Sequence, residues 1–198
     1  MSVKKHIVDT MKHLYNKKLI SARDGNVSFK PKNSNYFYIS AGSIKKNEIN
    51  SDQVIKVTFL DDRLSFDREY KYLPSREIYM HSYIQLHEKN NEKDIFVVHA
   101  HPPNIISYMG IFDENRELND IKKYFPEMNV GSIGNNVKYH DAGSNALAKD
   151  SFNKLINNDI VGIERHGSLS QGKDIEKIYE DIETLEYYIK IFLMSKEK

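Results

Sequence analysis

Apolar residues fall at helical spacing at both ends of this chain. Near the start, Val3, Ile7, Met11 and Leu14 lie three or four residues apart with Tyr15 beside them, which predicts an amphipathic helix over 3–19. From Asp174 onward, Ile175, Ile178, Ile182, Leu185, Ile189 and Phe192 repeat the pattern opposite a charged face. Between them the period shortens. Val27–Lys30 and Tyr36–Ser40, separated by the breaker cluster Pro31–Asn35, read as a β-hairpin. A second strand pair is predicted at 54–60 and 63–66, split by Asp61-Asp62. Pro74-Ser75 marks a helix start, and Ile78, Tyr79, Ser82, Tyr83 and Leu86 supply its helical pattern over 76–89. Ile95–His99 and Asp159–Ile163 are short runs rich in β-branched residues and predict buried strands, the first ended by Pro102-Pro103. Another helix is expected from near Ser144 to just before Asn157-Asn158, and Ser195–Lys198 reads as a frayed tail. Strands interleaved with helices imply one α/β domain around a single central sheet.

Composition narrows the chemistry. The 198 residues include eight His and no Cys, with 29 Lys+Arg against 28 Asp+Glu. That length suits one domain, able to bury roughly 70% of the surface its unfolded chain exposes, so no disulfide or metal is needed merely to hold the fold. Without Cys, any metal must be held by His and carboxylates, and thiol nucleophiles and iron–sulfur clusters are excluded. A formal charge of +1 provides no field for gripping nucleic acid or an anionic membrane. No apolar run approaches the ~18 residues of a membrane span, and the N-terminal stretch lacks the apolar core of a secretory signal. The expected class is a soluble, cytoplasmic, single-domain protein.

His99-Ala100-His101 stands out against that background. Residues two apart on a strand face the same way, so both imidazoles can reach one ion. The alternative is a strand that carries two partly exposed histidines. His166, after the second buried strand and before Gly167, is the natural third ligand, or else a turn residue before a glycine. Glu77, four residues before His81 and near a helix start, fits a fourth ligand, a general base or a residue favouring the helix dipole. Ser75 and the amides at that start, with the short loops Gly25-Asn26 and Gly42-Ser43, can present donors to a phosphate. Each of these signals is weak alone. His6, His13, His87 and His140 read as surface or packing residues.

Taken in order, Gly25-Asn26-Val27-Ser28, Ile39-Ser40-Ala41-Gly42, Pro74-Ser75-Arg76-Glu77-Ile78-Tyr79-Met80-His81, His99-Ala100-His101-Pro102-Pro103, Phe125-Pro126-Glu127 and Glu164-Arg165-His166-Gly167 resemble the class II aldolase/adducin family over nearly the whole chain. The resemblance implies one domain over 1–198, an α/β fold with a central, mainly antiparallel sheet covered by helices in three layers. It also implies a homotetramer with active sites between subunits, and a zinc or other divalent ion on His99, His101 and His166. Glu77 corresponds to the family's acid/base, which in several members also ligates the resting metal. Tyr124 falls near the tyrosine that a neighbouring subunit lends to protonate an aldehyde oxygen.

The activity so implied is retro-aldol cleavage of a small sugar phosphate, such as a ketose 1-phosphate giving dihydroxyacetone phosphate and an aldehyde. Zinc then acts as a Lewis acid for the enediolate charge. Gly25, Asn26, Gly42, Ser43, Ser75 and Arg76 are the expected phosphate-side residues. Two departures bear on that subsite: Arg76 stands where a second Ser is frequent, and Ala41 lacks the usual hydroxyl before Gly42. Arg76 either grips phosphate bidentately, signals another substrate or simply faces solvent. A 4-epimerase, a dehydratase or decarboxylase, and a non-catalytic adducin-like module are the alternatives. Asp in place of Glu77 would mark the epimerases, and loss of the histidine ligands would mark the adducin type.

Overall fold

The computed structural model describes residues 2–61, 63–67, 71–110 and 116–196; Asp62 of the predicted turn and Glu197–Lys198 of the predicted tail lie outside them. The elements run α1 (Val3–Asn16), β1 (Asn26–Lys30), β2 (Tyr36–Ser40), β3 (Val54–Leu60), β4 (Arg63–Ser65), α2 (Ile78–Gln85), β5 (Ile95–Ala100), α3 (Pro103–Met109), α4 (Asn145–Leu155), β6 (Ile160–Ile163), β7 (Gly167–Gly172) and α5 (Ile175–Lys196). Local chemistry sets several of the boundaries. The Ser2 and Ser144 hydroxyls accept from Lys5 N and Leu147 N and cap α1 and α4, and Asp174 Oδ1 accepts from Glu176 N at the start of α5.

The seven strands form one sheet in the order β4-β3-β2-β1-β5-β7-β6, and every pairing between them is antiparallel. Helices cover both faces. On one side Ile7, Met11 and Leu14 of α1, with Ile178, Ile182, Leu185 and Ile189 of α5, pack on Val27, Phe29, Phe96 and Val98. On the other, Met80 and Ile84 of α2 and Leu147 and Leu155 of α4 pack on Val97, Val161, Ile163 and Leu169. Strand alternation assigns the remaining side chains. Asn26, Ser28 and Lys30 of β1 share the α2 face with Val97 and His99 of β5, and Asn26 pairs directly with His99 across the two strands.

That polar row is fully buried, which corrects the expected orientation of α2. Of the positions in the sequence pattern, Ile78 and Ser82 are buried but Tyr79 and Tyr83 are exposed, and Met80, His81, Ile84 and Gln85 point in. The cause lies on β1. Buried polar groups need partners, and His81 and Gln85 meet Asn26 and Ser28. The helix is also shorter than its predicted span, with Glu77 at its N-cap position. Two elements go beyond the sequence reading: the short helix α3 after Pro102, and strand β7.

Candidate active site

His99 occupies the end of β5, His101 follows just beyond it, and His166 sits in the turn between β6 and β7. Antiparallel pairing of β5 with β7 puts these strand ends side by side. The Nδ1–H of His99 donates to the Ser168 carbonyl at 2.9 Å, which leaves Nε2 as its free lone pair. His99 Nε2 and His101 Nε2 stand 2.9 Å apart, and one ligand nitrogen from each of the three rings lies within 4.8 Å of the others. Two nitrogens bound tetrahedrally to one ion at 2.0–2.1 Å would be about 3.3 Å apart; the His99–His101 pair is close to that, and the trio could hold a metal ion. Burial holds all three imidazoles below their ordinary range. His166 is brought down to about 4, His99 is lowered well below by burial and then by the other two rings, and His101 is lowered with Asp24 opposing. Neutral imidazoles are the metal-binding form. Asp24 Oδ2 lies 3.9 Å from His101 Nδ1, and the His101 backbone N–H donates to Leu19 O at 2.9 Å.

Gly167 explains why a glycine follows the third histidine. A Cβ there would lie 2.1 Å from the Ala100 carbonyl oxygen and 3.3 Å from His101 Cα. Only a bare backbone lets β7 approach β5 this closely at the histidine-bearing end. Gly25 is constrained twice over: its φ is +69°, and a Cβ would meet Ile20 Cγ2 at 2.6 Å.

Beside the histidines is a cleft of about 330 Å³ that brings together Gly25, Asn26, Gly42, Ser43, Ser75, Arg76, Glu77, His99, His101 and His166. Glu77 is buried, and its Oε2 has no hydrogen-bond partner. Burial raises its carboxyl above the usual range, against a Gly143 backbone N–H and the Arg76 guanidinium. It lines the cleft without belonging to the three-histidine group. Ser75 Oγ accepts from Glu77 N at 3.3 Å, so its own hydroxyl proton remains available to donate. Gly42 packs on the Pro74–Ser75 backbone, where a Cβ would lie 3.2 Å from Pro74 O.

Four lining residues escaped the sequence reading: Arg23, Asp24, Lys46 and Ala142. Arg23 is tied to the Gly42-Ser43 loop by a 2.7 Å bond from Nη1 to Ser43 O. Lys46 is buried with Nζ donating to Ala41 O at 2.9 Å, and burial brings its ammonium down to about 8, with Asp24 opposing. Charge next to the glycine motifs was the only available signal for Arg23 and Asp24. For Lys46, beside an equally charged Lys45 in an irregular stretch, there was none. Arg23, Lys46 and Arg76 make this end of the cleft cationic. Tyr124 lies elsewhere: it is 57% exposed, packs at a tilt against Phe192 with 4.7 Å between centroids and does not line its own chain's cleft.

The sequence profile described as Class II Aldolase and Adducin N-terminal domain matches residues 5–193. The chain belongs to the class II aldolase and adducin family. Within it, an L-fuculose phosphate aldolase of Methanocaldococcus jannaschii is 26% identical over 194 residues, which cover 97% of this chain and 96% of that one. Among solved structures, a sugar-phosphate aldolase from Thermotoga maritima superposes with a TM-score of 0.80 at 23% identity, covering 98% of this chain and 96% of its own. An L-fuculose-1-phosphate aldolase from Thermus thermophilus gives 0.73 at 17% identity, with 97% and 93% covered. A putative aldolase/epimerase/decarboxylase from Klebsiella pneumoniae gives 0.74 at 14% identity, with 99% and 90% covered. These likenesses bear out the expected family and its antiparallel, helix-covered sheet. Among the described residues no helix is long and apolar enough to cross a membrane.

Proposed function

We propose that this family member is a metal-dependent aldolase that cleaves a small ketose 1-phosphate to dihydroxyacetone phosphate and an aldehyde. The observation that carries this reading is the joint cleft: three neutral imidazoles converge beside a buried carboxyl group and a glycine loop flanked by cationic side chains. His99, His101 and His166 would hold the ion, zinc by preference for an all-nitrogen set at this spacing. When bound, it supplies a Lewis acid for negative charge on the substrate oxygens.

This chain's own residues do the rest. In the cleavage direction the bond between C3 and C4 breaks as the C4 hydroxyl gives its proton to the Tyr124 oxygen lent by a neighbouring subunit. The electron pair passes into the C2 carbonyl, giving an enediolate, and the C4 fragment leaves as an aldehyde. Glu77 as the protonated acid then delivers a proton to C3, and its carboxylate takes it back in the aldol direction. Burial favours the neutral acid form that this step requires. Arg23, Lys46 and Arg76, with the Ser43 and Ser75 hydroxyls and the Asn26 amide, orient the phosphate; Arg76 and Lys46 offset the hydroxyl missing at Ala41. Gly25 and Gly42 keep the backbone close enough for these donors to converge. Tyr124 exposed on the surface supports a donor lent to a neighbouring subunit's cleft, in a homotetramer.

The test combines metal analysis with product detection. Purified protein should carry one zinc or other divalent ion per chain, lost in His99→Ala. It should release dihydroxyacetone phosphate from ketose 1-phosphates. Glu77→Gln should lower turnover by about 10²–10⁴-fold while the metal stays bound. A metal-loaded protein that interconverts pentulose phosphates without releasing a triose would point to the epimerase instead. Undiminished turnover in Glu77→Gln would remove the acid/base role.

A further inference from the structure

Beneath the cleft, α2 and β1 share a set of hydrogen bonds that the aldolase reading leaves unused. His81 has no exposed surface, nor have Ser28 and Gln85, and Asn26 is 4% exposed. Gln85 Nε2 donates to Ser28 Oγ at 2.8 Å, and Ser28 lies 2.6 Å from His81 Nδ1. The other ring nitrogen, Nε2, contacts Asn26 Oδ1. Among the described residues the buried Ser28 hydroxyl meets only Gln85 and His81, and since it accepts from Gln85 its own proton finds an acceptor only at Nδ1, so Nδ1 is the bare nitrogen and Nε2 carries the hydrogen. That hydrogen engages the Asn26 carbonyl oxygen. The amide nitrogen at the other end of the same side chain is left for the cleft that Asn26 lines.

Each bond in this series has a direction, and the series can be reversed only as a whole. Reversal would turn the Gln85 carbonyl toward Ser28, place the imidazole proton on Nδ1 and aim the Asn26 oxygen into the cleft. It would also bury the Gln85 NH₂ group where Oε1 now lies without a partner. Orphaned donors are rarer in proteins than under-used carbonyls, which favours the direction observed. Burial brings the ring down to about 3, so it stays neutral and keeps one bare nitrogen over the working pH range.

We propose that His81 is a positioning residue that fixes the orientation of the Asn26 amide, presenting its NH₂ as a hydrogen-bond donor to an anionic group in the cleft. The anionic group is the substrate phosphate, and that part rests on the reading above. His81 itself touches no substrate. It acts through one side chain, and Gln85 and Ser28 set its tautomer. Asn26 directly opposite His99 in the strand register links this donor to the metal-ligating end of β5.

Two measurements test it. In the full-length, zinc-loaded, ¹⁵N-labelled protein, long-range proton–nitrogen correlations report which ring nitrogen of His81 is protonated; His81→Phe identifies the signals by their loss. A proton on Nε2 is expected, and a proton on Nδ1 overturns the proposal. Calorimetric titration with inorganic phosphate gives the second readout. Binding should weaken about tenfold or more in His81→Phe, the effect of losing one hydrogen bond to a charged group. It should recover largely in His81→Gln, whose amide nitrogen can still donate to Asn26 Oδ1, with zinc affinity unchanged in both. Equal phosphate affinity in wild type and His81→Phe overturns the proposal. If wild type binds no phosphate at all, the phosphate reading falls, and the tautomer spectrum alone decides the role of His81.

Discussion

Substituting Gly167 by alanine probes how tightly the sheet geometry sets the three-histidine end. The added Cβ would sit 2.1 Å from Ala100 O, about 1.3 Å inside ordinary contact. Both partners are backbone of adjacent, paired strands, so no side chain can swing away to relieve the overlap. β7 must separate from β5 by a large part of that distance, weakening the Ala100–Ser168 and Ile163–Gly167 pairings on either side. Overpacking of this kind costs about 1–3 kcal/mol or more. The larger effect is on function, because His166 immediately precedes the moved residue and His101 Cα is also within 3.3 Å of the new atom. Metal–nitrogen distances tolerate only about ±0.2 Å. Zinc affinity should therefore fall by at least about 10²-fold, ahead of any loss of fold. Urea denaturation and competition for zinc against a chromogenic chelator, run on the same preparations, measure the two effects. A Gly167→Ala protein with wild-type zinc affinity and midpoint would refute the argument that this close approach aligns the histidines.

Three further outcomes follow from the site. Lys46→Met should raise stability at pH 7 by at most about 3 kcal/mol, since burial depresses the native ammonium from 10.5 to about 8. At Lys46 the unfolded chain binds more protons than the native one between those values, so this residue makes stability rise with pH across that window, and denaturant titrations should show a smaller upward slope there in the variant than in wild type. His81 is depressed from 6.5 to about 3, so its share of stability is intact above pH 6.5 and lost progressively toward pH 3. His81→Gln should lessen that acid loss, and equal pH slopes in the two proteins would contradict the assignment. Tyr124→Phe should reduce cleavage without altering zinc content, and mixed oligomers of Tyr124→Phe with Glu77→Gln should regain activity if the tyrosine serves a neighbour's cleft.

The long periodic segments and the motif residues were readable from sequence because local rules govern them. α5 needs only its apolar stripe, and the β1–β2 hairpin only its breaker cluster. The three histidines were legible because two strand ends, each carrying histidine, have few ways to meet. What escaped depended on the partner. β7 has a single large apolar residue, Leu169, among glycine, serine and glutamine, and only its central place between β5 and β6 makes it a strand. α3 is seven residues long and starts at a proline, too short to show a period. The face of α2 was misjudged because Asn26, Ser28 and Lys30 alternate with apolar residues as a solvated strand would. Burying that row turned His81 and Gln85 inward, and no pattern within α2 announces it. Arg23, Asp24 and Lys46 reach the cleft through loop paths that periodicity does not describe.

The strand order has a consequence for how the molecule assembles. β1 to β4 form a sequential meander, each pairing with the next, whereas β5 must cross back to β1 over the intervening helix. Asn26 and His99, on opposite sides of that junction, are brought together only by a long-range pairing. The segment after His101 is held from further away still: Glu186 of α5 accepts from Asn104 N and Ile105 N, 82 and 81 residues off along the chain. Contacts of such separation form late, because loop closure must precede any gain from them. The early meander has no route to a finished cleft. Without that closure the histidines would lack the register that aligns them, so the cleft belongs to the whole fold and not to any one segment of it.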